Sequence, residues 1–193
     1  MSPPEREASP EMDSPEMDRP EVDAVLRAAV REIESHAAEA GWDQPGRLYA
    51  LVPTSDLLAR EPNLAAAMGI DEASAAGSLT PVEQDQLPAE RTLEQALEEM
   101  MWPAEVFGCA AVVERLVLPP DANGNMPEEP SAAQEYAASH PGRQEVRIVA
   151  GATRDGATYC ALRLKSHDDA ISVVESTDLV PALLQLLLST LEH

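Results

Sequence analysis

The sequence predicts an α+β fold, an antiparallel four- to five-stranded meander packed against N- and C-terminal helices. Three observations predict it. Apolar residues recur at spacings of three and four near both ends of the chain, the period of a helix with one buried face. Between about 106 and 174 that period gives way to short apolar runs rich in valine, separated by turn residues. The helical segments also stand apart from the strands rather than alternating with them, the α+β rather than the α/β pattern.

The elements follow in order. Residues 1–19 form an acidic, proline-rich tail with a five-residue pseudo-repeat: SPEMD at 9–13, SPEMD at 14–18 and RPEVD at 19–23. The first two copies have no means of burying apolar surface and read as disordered. The third turns into a helix start, with Pro20 suited to the first helical position and Glu21 and Asp23 to the positive end of the dipole. Val25, Leu26, Ala29, Ile33 and Ala37 then mark a helix over 20–40, which Gly41 closes. RLYALV at 47–52 is a short apolar strand ended by Pro53. Thr54, Ser55 and Asp56 offer N-caps for a short helix carrying Leu57 and Leu58, and 63–68 adds another turn. Residues 69–90 read as loop, with one turn from the capping box Thr80-Pro81-Val82-Glu83. Thr92-Leu93-Glu94-Gln95 is a second capping box, opening a helix that Pro103 prevents from continuing.

VFGCAAVVERLVL at 106–118 reads as a long, largely buried strand stopped by Pro119 and Pro120. A polar insertion covers 119–142, with Ser131 placed to cap a small helix. Strands at 145–152 and 158–165 flank Arg154-Asp155-Gly156, a hairpin signal, and 171–174 makes a fourth strand. The last helix, 178–191, leaves only Gln185, Ser189 and Thr190 polar around its wheel. A surface helix needs an apolar stripe somewhat over about 100° wide, so this one needs cover on two sides. Insertion between the sheet and the first helix would supply it, and so would a homodimer. With 193 residues, against roughly 100–200 per domain, 20–193 reads as one α+β domain.

Charge narrows the function. Asp and Glu number 35 against 13 Lys plus Arg, a formal charge of -22, and such a field repels phosphate backbones and anionic lipid. Aromatic residues are 3% of the chain, too few for base-stacking platforms. Nucleic acid and membrane surfaces are therefore poor partners. The longest apolar run, 179–191, falls short of the about 20 residues a bilayer needs. The N-terminus has no apolar secretory core, so the chain reads as cytoplasmic, and Cys109 and Cys160 read as buried free thiols rather than a disulfide. Lys165 is the only lysine, a bias expected of a GC-rich genome.

No motif of catalysis or cofactor binding is present: no HExxH, CxxC, GxSxG or phosphate-binding glycine loop. No cofactor is expected. His167-Asp168-Asp169 is the one place where a histidine adjoins carboxylates, and adjacent residues of a turn rarely converge on one ion. His36, on the border of the first helix's apolar stripe, reads as half-buried and structural.

Two patterns point to a partner instead. Arg115, Arg143, Arg147, Arg154, Arg163 and Lys165 lie on or beside the meander. Alternation puts Arg163 and Lys165 on one face, and in the obvious register Arg147 joins them in a basic stripe on the sheet's outer face. It reads either as a face offset by the protein's own carboxylates or as a groove for an acidic or C-terminal segment, where arginine forks suit carboxylates. Leu184 and Leu187 of the last helix are the candidate contacts of a homodimer.

Three stretches together resemble a family of uncharacterised proteins from high-GC Gram-positive, actinobacterial bacteria: GWDQPGRLYALV at 41–52, Trp102-Pro103 leading into GCAAVVERL at 108–116, and DLVPALL at 178–184. The resemblance covers about 20–192 and implies no activity, cofactor or catalytic residue. The element order is similar to small secretion-chaperone domains, an analogy of fold alone. The expected function is a non-catalytic protein-interaction module, an adaptor or chaperone-like protein binding another protein. The alternatives are a small metal-dependent hydrolase using His167, Asp168 and Asp169, and an acidic inhibitor or immunity-type protein that opposes a basic target.

Overall fold

The computed structural model describes residues 19–88 and 90–192, so the disorder expected of the tail over 1–18 lies outside the described residues. Six strands form one antiparallel sheet: β1 (Arg47–Pro53), β2 (Leu79–Glu83), β3 (Gly108–Val117), β4 (Gln144–Thr153), β5 (Thr158–Leu164) and β6 (Val174–Ser176). Their order is β2-β1-β3-β4-β5-β6, so the expected meander runs from β3 to β6 and β1 and β2 extend it. Gly156, with φ at +81°, turns the chain between β4 and β5 as the Arg154-Asp155-Gly156 signal requires.

The count of six corrects the four or five expected, and β2 makes the difference. Its Thr80 does not cap a helix; its hydroxyl lies 2.9 Å from that of Thr54, and the backbone pairs with β1 from Tyr49 opposite Glu83 to Pro53 opposite Leu79. Pro81 has no N–H to donate and is tolerated because β2 is an edge strand. A local capping signal thus gave way to long-range pairing. The fourth meander strand also moves, because Asp169 accepts from Ser172 N–H and holds 170–172 in a 3₁₀ turn ahead of β6.

Seven helices surround the sheet among the described residues: α1 (Arg19–Glu39), α2 (Thr54–Arg60), α3 (Pro62–Ala67), α4 (Glu72–Ala75), α5 (Leu93–Glu99), α6 (Pro130–Ser139) and α7 (Pro181–Ser189). The Thr92–Gln95 capping box forms at α5. The caps expected at Thr54–Asp56 do not; Pro53 precedes α2 with no side-chain bond, because Thr54 has turned to Thr80. In the insertion, Glu129 rather than Ser131 caps α6, accepting from the N–H groups of Ser131 and Ala132.

The sheet carries apolar cover on both faces. α1 lays Leu26, Ala29, Val30 and Ile33 against Tyr49, Leu51, Ala110, Val112, Val149 and Ala161. It comes so close that a Cβ on Gly151 would sit 2.9 Å from Val30 Cγ2, which only glycine avoids. On the other face Leu184, Leu187 and Leu191, with Leu93, Leu97 and Trp102, cover Leu48, Cys109, Ala111, Val146, Ile148 and Cys160. α7 therefore lies across the sheet from α1, not between the two as one expectation had it. The cause is visible in GCAAVV, which has no polar alternation and needs cover on both sides. Cys109 and Cys160 are free and buried.

Candidate interaction surfaces

The register brings the basic stripe together as expected: Arg147 stands opposite Arg163 on β5 and opposite Glu114 on β3, with Lys165 just past β5. Its exposure is the correction. Arg147 is 1% exposed and Arg163 5%, because α1 and the turn after it lie over this face. Arg163 grips Glu34 of α1 through Nε at 2.5 Å and Nη2 at 2.9 Å, and donates from Nη1 to Asp168 at 3.3 Å. The Glu34 carboxylate raises the Arg163 pKa further above its ordinary value. Arg147 donates to Glu114 at 3.1 Å and to the Gly41 carbonyl, and Trp42 stacks on its guanidinium at 4.3 Å. Like charges opposite each other repel, so each arginine is held by its own carboxylate.

The turn at 41–44 completes this enclosure. Glu114 accepts from the N–H groups of Asp43 and Gln44 at 2.8 and 3.3 Å, with Asp43 at φ +63°. Trp42 donates from Nε1 to Asp168 at 2.9 Å. Lys165 is more open, at 38% of its side chain, yet it pairs with Glu145 and, at 3.8 Å, Asp43. Among the described residues the three cations are thus matched within the chain and leave no open groove for an acidic segment.

Leu184 and Leu187, 2% and 0% exposed, are core residues of the chain itself and are not free to meet a second copy. The half-buried positions of α7 are Leu183, Leu186 and Leu188. The end of the helix is tied down by Arg154, which donates to the carbonyls of Val106 at 2.8 Å, Trp102 at 3.0 Å, Pro103 at 2.8 Å and Leu191. Trp102 N–H adds a bond of 2.9 Å to the Thr190 carbonyl.

His167, Asp168 and Asp169 serve three separate structural tasks. Asp168 accepts from Trp42 and Arg163, Asp169 caps the 3₁₀ turn, and His167 Nδ1 lies 3.1 Å from Ser166 Oγ. Hydrogen bonds from Ser172 hold the Asp169 carboxyl below its ordinary pKa. Among the described residues no three His, Cys, Asp or Glu side chains stand together as a metal site. Burial pushes the Cys109 thiol up to about 11, far from a nucleophilic thiolate at neutral pH.

What the structure leaves open is a groove bordered by Glu94 of α5 and by the first turns of α7. Val113 and Ile148 form its floor and Val180, Leu183 and Leu186 its wall, around a volume of about 330 Å³. A second hollow of about 430 Å³, bordered by Pro45, Leu87 and Leu93, shares Val113, Glu94 and Arg115 with it, and the Arg115–Glu94 ion pair stands where they meet. β3 pairs with β4 through Val117 but with β1 only to Val112. Residues 113–117 therefore have one edge without a strand neighbour among the described residues. Sequence reasoning missed this groove, because which leucines of an all-apolar helix meet the sheet depends on how the helix is rolled. Pro45 and Gly46, which hold the start of β1 back to Arg47, were the available signal.

These features define an α+β protein with helices on both faces of one antiparallel sheet, one face closed over its arginines and the other grooved. The chain belongs to the PPA1309-like protein family, whose family model matches residues 26–192. No curated protein and no solved structure matches it. The matched span holds all three stretches that carried the resemblance: the Trp42 turn with β1, the Trp102 segment with β3, and the start of α7. No helix among the described residues is long and apolar enough to cross a membrane.

Proposed function

We propose that this protein is a non-catalytic protein-interaction module of the cytoplasm, adaptor- or chaperone-like, that holds an apolar segment of another protein between α5 and α7. The observation that carries the reading is the apolar groove of about 330 Å³ over the buried Val113 and Ile148, with the half-buried Leu183 and Leu186 along its wall. The two charges on its border, Arg115 and Glu94, cancel as a pair, so the groove favours an apolar ligand over a charged one. The arginine-rich, lysine-poor composition supports an origin in high-GC Gram-positive bacteria.

The test is affinity capture from the native cytoplasm at low and high salt, comparing wild type with Leu183→Asp/Leu186→Asp, alongside light scattering of the purified proteins. We expect a stoichiometric partner that survives high salt and is lost in the folded double variant. A dimer that the same variant turns into monomer would assign the groove to a second copy. A partner retained by the variant but released by salt would overturn the groove and favour charged-surface recognition, as in an acidic inhibitor.

A further inference from the structure

We infer that the partner segment binds as an added β-strand, pairing antiparallel with the free edge of β3 in line with β1; this rests on the groove reading above. β3 stays paired with β4 through Val117, whereas its pairing with β1 ends at Val112. The Gln84 N–H donates to the Leu48 carbonyl, so Leu48 turns its backbone groups to β2, and Arg47 and Tyr49 turn theirs to β3. Their partners Val112 and Ala110 face β1, and by alternation Glu114 and Leu116 send their N–H and C=O groups the same way. Among the described residues no backbone group pairs with them there. Leu116 and Val117 stand exposed at this edge. The outermost strands are poorer templates: β2 contains Pro81, which cannot donate, and β6 has three residues.

The hollow of about 430 Å³ lies on the line of the added strand, bordered by Pro45 and Gly46 before β1 and by Glu114 and Arg115 on β3. Side chains of such a strand alternate between the two faces. Those opposite Val113, Arg115 and Val117 share the face of the groove, and the one opposite Val113 enters it beside Leu183 and Leu186. Arg115 gives one Nη2 bond to Glu94 and keeps donors for a second carboxylate, so charge complementarity favours an acidic residue opposite it. A second copy does not fit. The antiparallel register centred on this segment sets Arg115 opposite Arg115, and each chain carries a formal charge of -22. The occupant is therefore an extended segment of another protein, apolar on the groove side except for one acidic residue over Arg115.

The experiment is a titration of the full chain with capped Lys-Val-Val-Glu-Thr-Leu, whose second valine, glutamate and threonine lie opposite Leu116, Arg115 and Glu114, read by amide hydrogen exchange. In the free protein the Glu114 and Leu116 amides exchange fast, and those of Val113 and Arg115, bonded to β4, exchange slowly. We expect bound peptide to slow Glu114 and Leu116 by about tenfold or more. N-methylation of the threonine removes a donor to β3 and should weaken binding about tenfold, whereas N-methylation of the glutamate, whose N–H points away, should change it by less than about twofold. Leu116→Pro removes an N–H from the free edge and none from the β3–β4 ladder, and should weaken binding about fivefold. Absence of saturable binding, unchanged exchange at Glu114 and Leu116, or equal effects of the two methylations would each overturn strand addition. The groove reading fails separately: a peptide that shows the alternating pattern and binds Leu183→Asp/Leu186→Asp like wild type would keep the added strand and overturn the groove.

Discussion

The two faces of the sheet invert the usual expectation about polarity. The face under α1 carries Arg147, Arg163, Glu34 and Glu114, and it is sealed; a 21-residue helix and the Trp42 turn close it. The face under α7 is covered by two helices of 7 and 9 residues, and beside them a groove over the buried Val113 and Ile148 leaves Leu183 and Leu186 half-exposed. The difference teaches that cover depends on the length and path of the overlying segments, not on the polarity of the strand beneath. Charges are tolerated where a long helix supplies matching carboxylates, and leucines stay partly exposed along a short helix that nothing covers on its outer flank.

The sharpest way to break this comparison is to unpair the sealed face. Arg163→Ala strands Glu34 in a buried site and should cost about 3–5 kcal/mol by denaturant unfolding. Arg163→Met combined with Glu34→Leu should recover much of that loss, since it removes both charges at once. A loss below about 1 kcal/mol for Arg163→Ala would mean that water reaches the pair and the face is not sealed.

The same contrast can be read within α7 alone. Leu187 points into the core and Leu186 into the groove. Leu187→Ala should destabilise by about 2–5 kcal/mol, and Leu186→Ala by about 1 kcal/mol. Equal losses in thermal or urea unfolding would show the groove to be part of the closed core.

A smaller effect lies at the edge of the α1 face. Glu175 accepts from Arg31 at 2.7 Å through both oxygens, chiefly for which reason its carboxyl is lowered from 4.5 to about 2, with Tyr159 and Arg27 adding to it. Its folded pKa lies below its unfolded one, so the stabilisation is fully present above about 4.5 and is lost as pH falls towards 2. Arg27 and Arg31 are half-exposed, and solvent screening keeps this contribution below that of the buried pair. In acid-unfolding titrations, Glu175→Gln should flatten the stability slope over that pH range, and an unaltered slope would discount the contact.

Much of the fold was legible in the chain. The helical periods of α1 and α7, the Thr92 capping box, the Arg154-Asp155-Gly156 hairpin and the register of Arg147 against Arg163 are local patterns, or follow from alternation along neighbouring strands. β2 was not legible, because Thr80-Pro81-Val82-Glu83 carries a helix-cap signal that pairing with β1 overrides. The candidate sites were less legible than the fold. Arg147, Arg163, Leu184 and Leu187 were singled out for residue type and spacing, and all four prove to be interior. A stripe of like side chains looks the same in sequence whether a helix lies over it or not.

By itself, then, the sequence determined the class of fold, the antiparallel meander, the strongly acidic charge and the buried state of both thiols, since each rests on composition or on short-range periodicity. Only the tertiary structure decided which face each helix covers, and hence which cations are matched and which leucines stay accessible. Those outcomes turn on contacts such as Arg163 with Glu34, 129 residues apart along the chain. Local propensity carries no information about such partners, and their geometry exists only once the sheet has formed between α1 and α7.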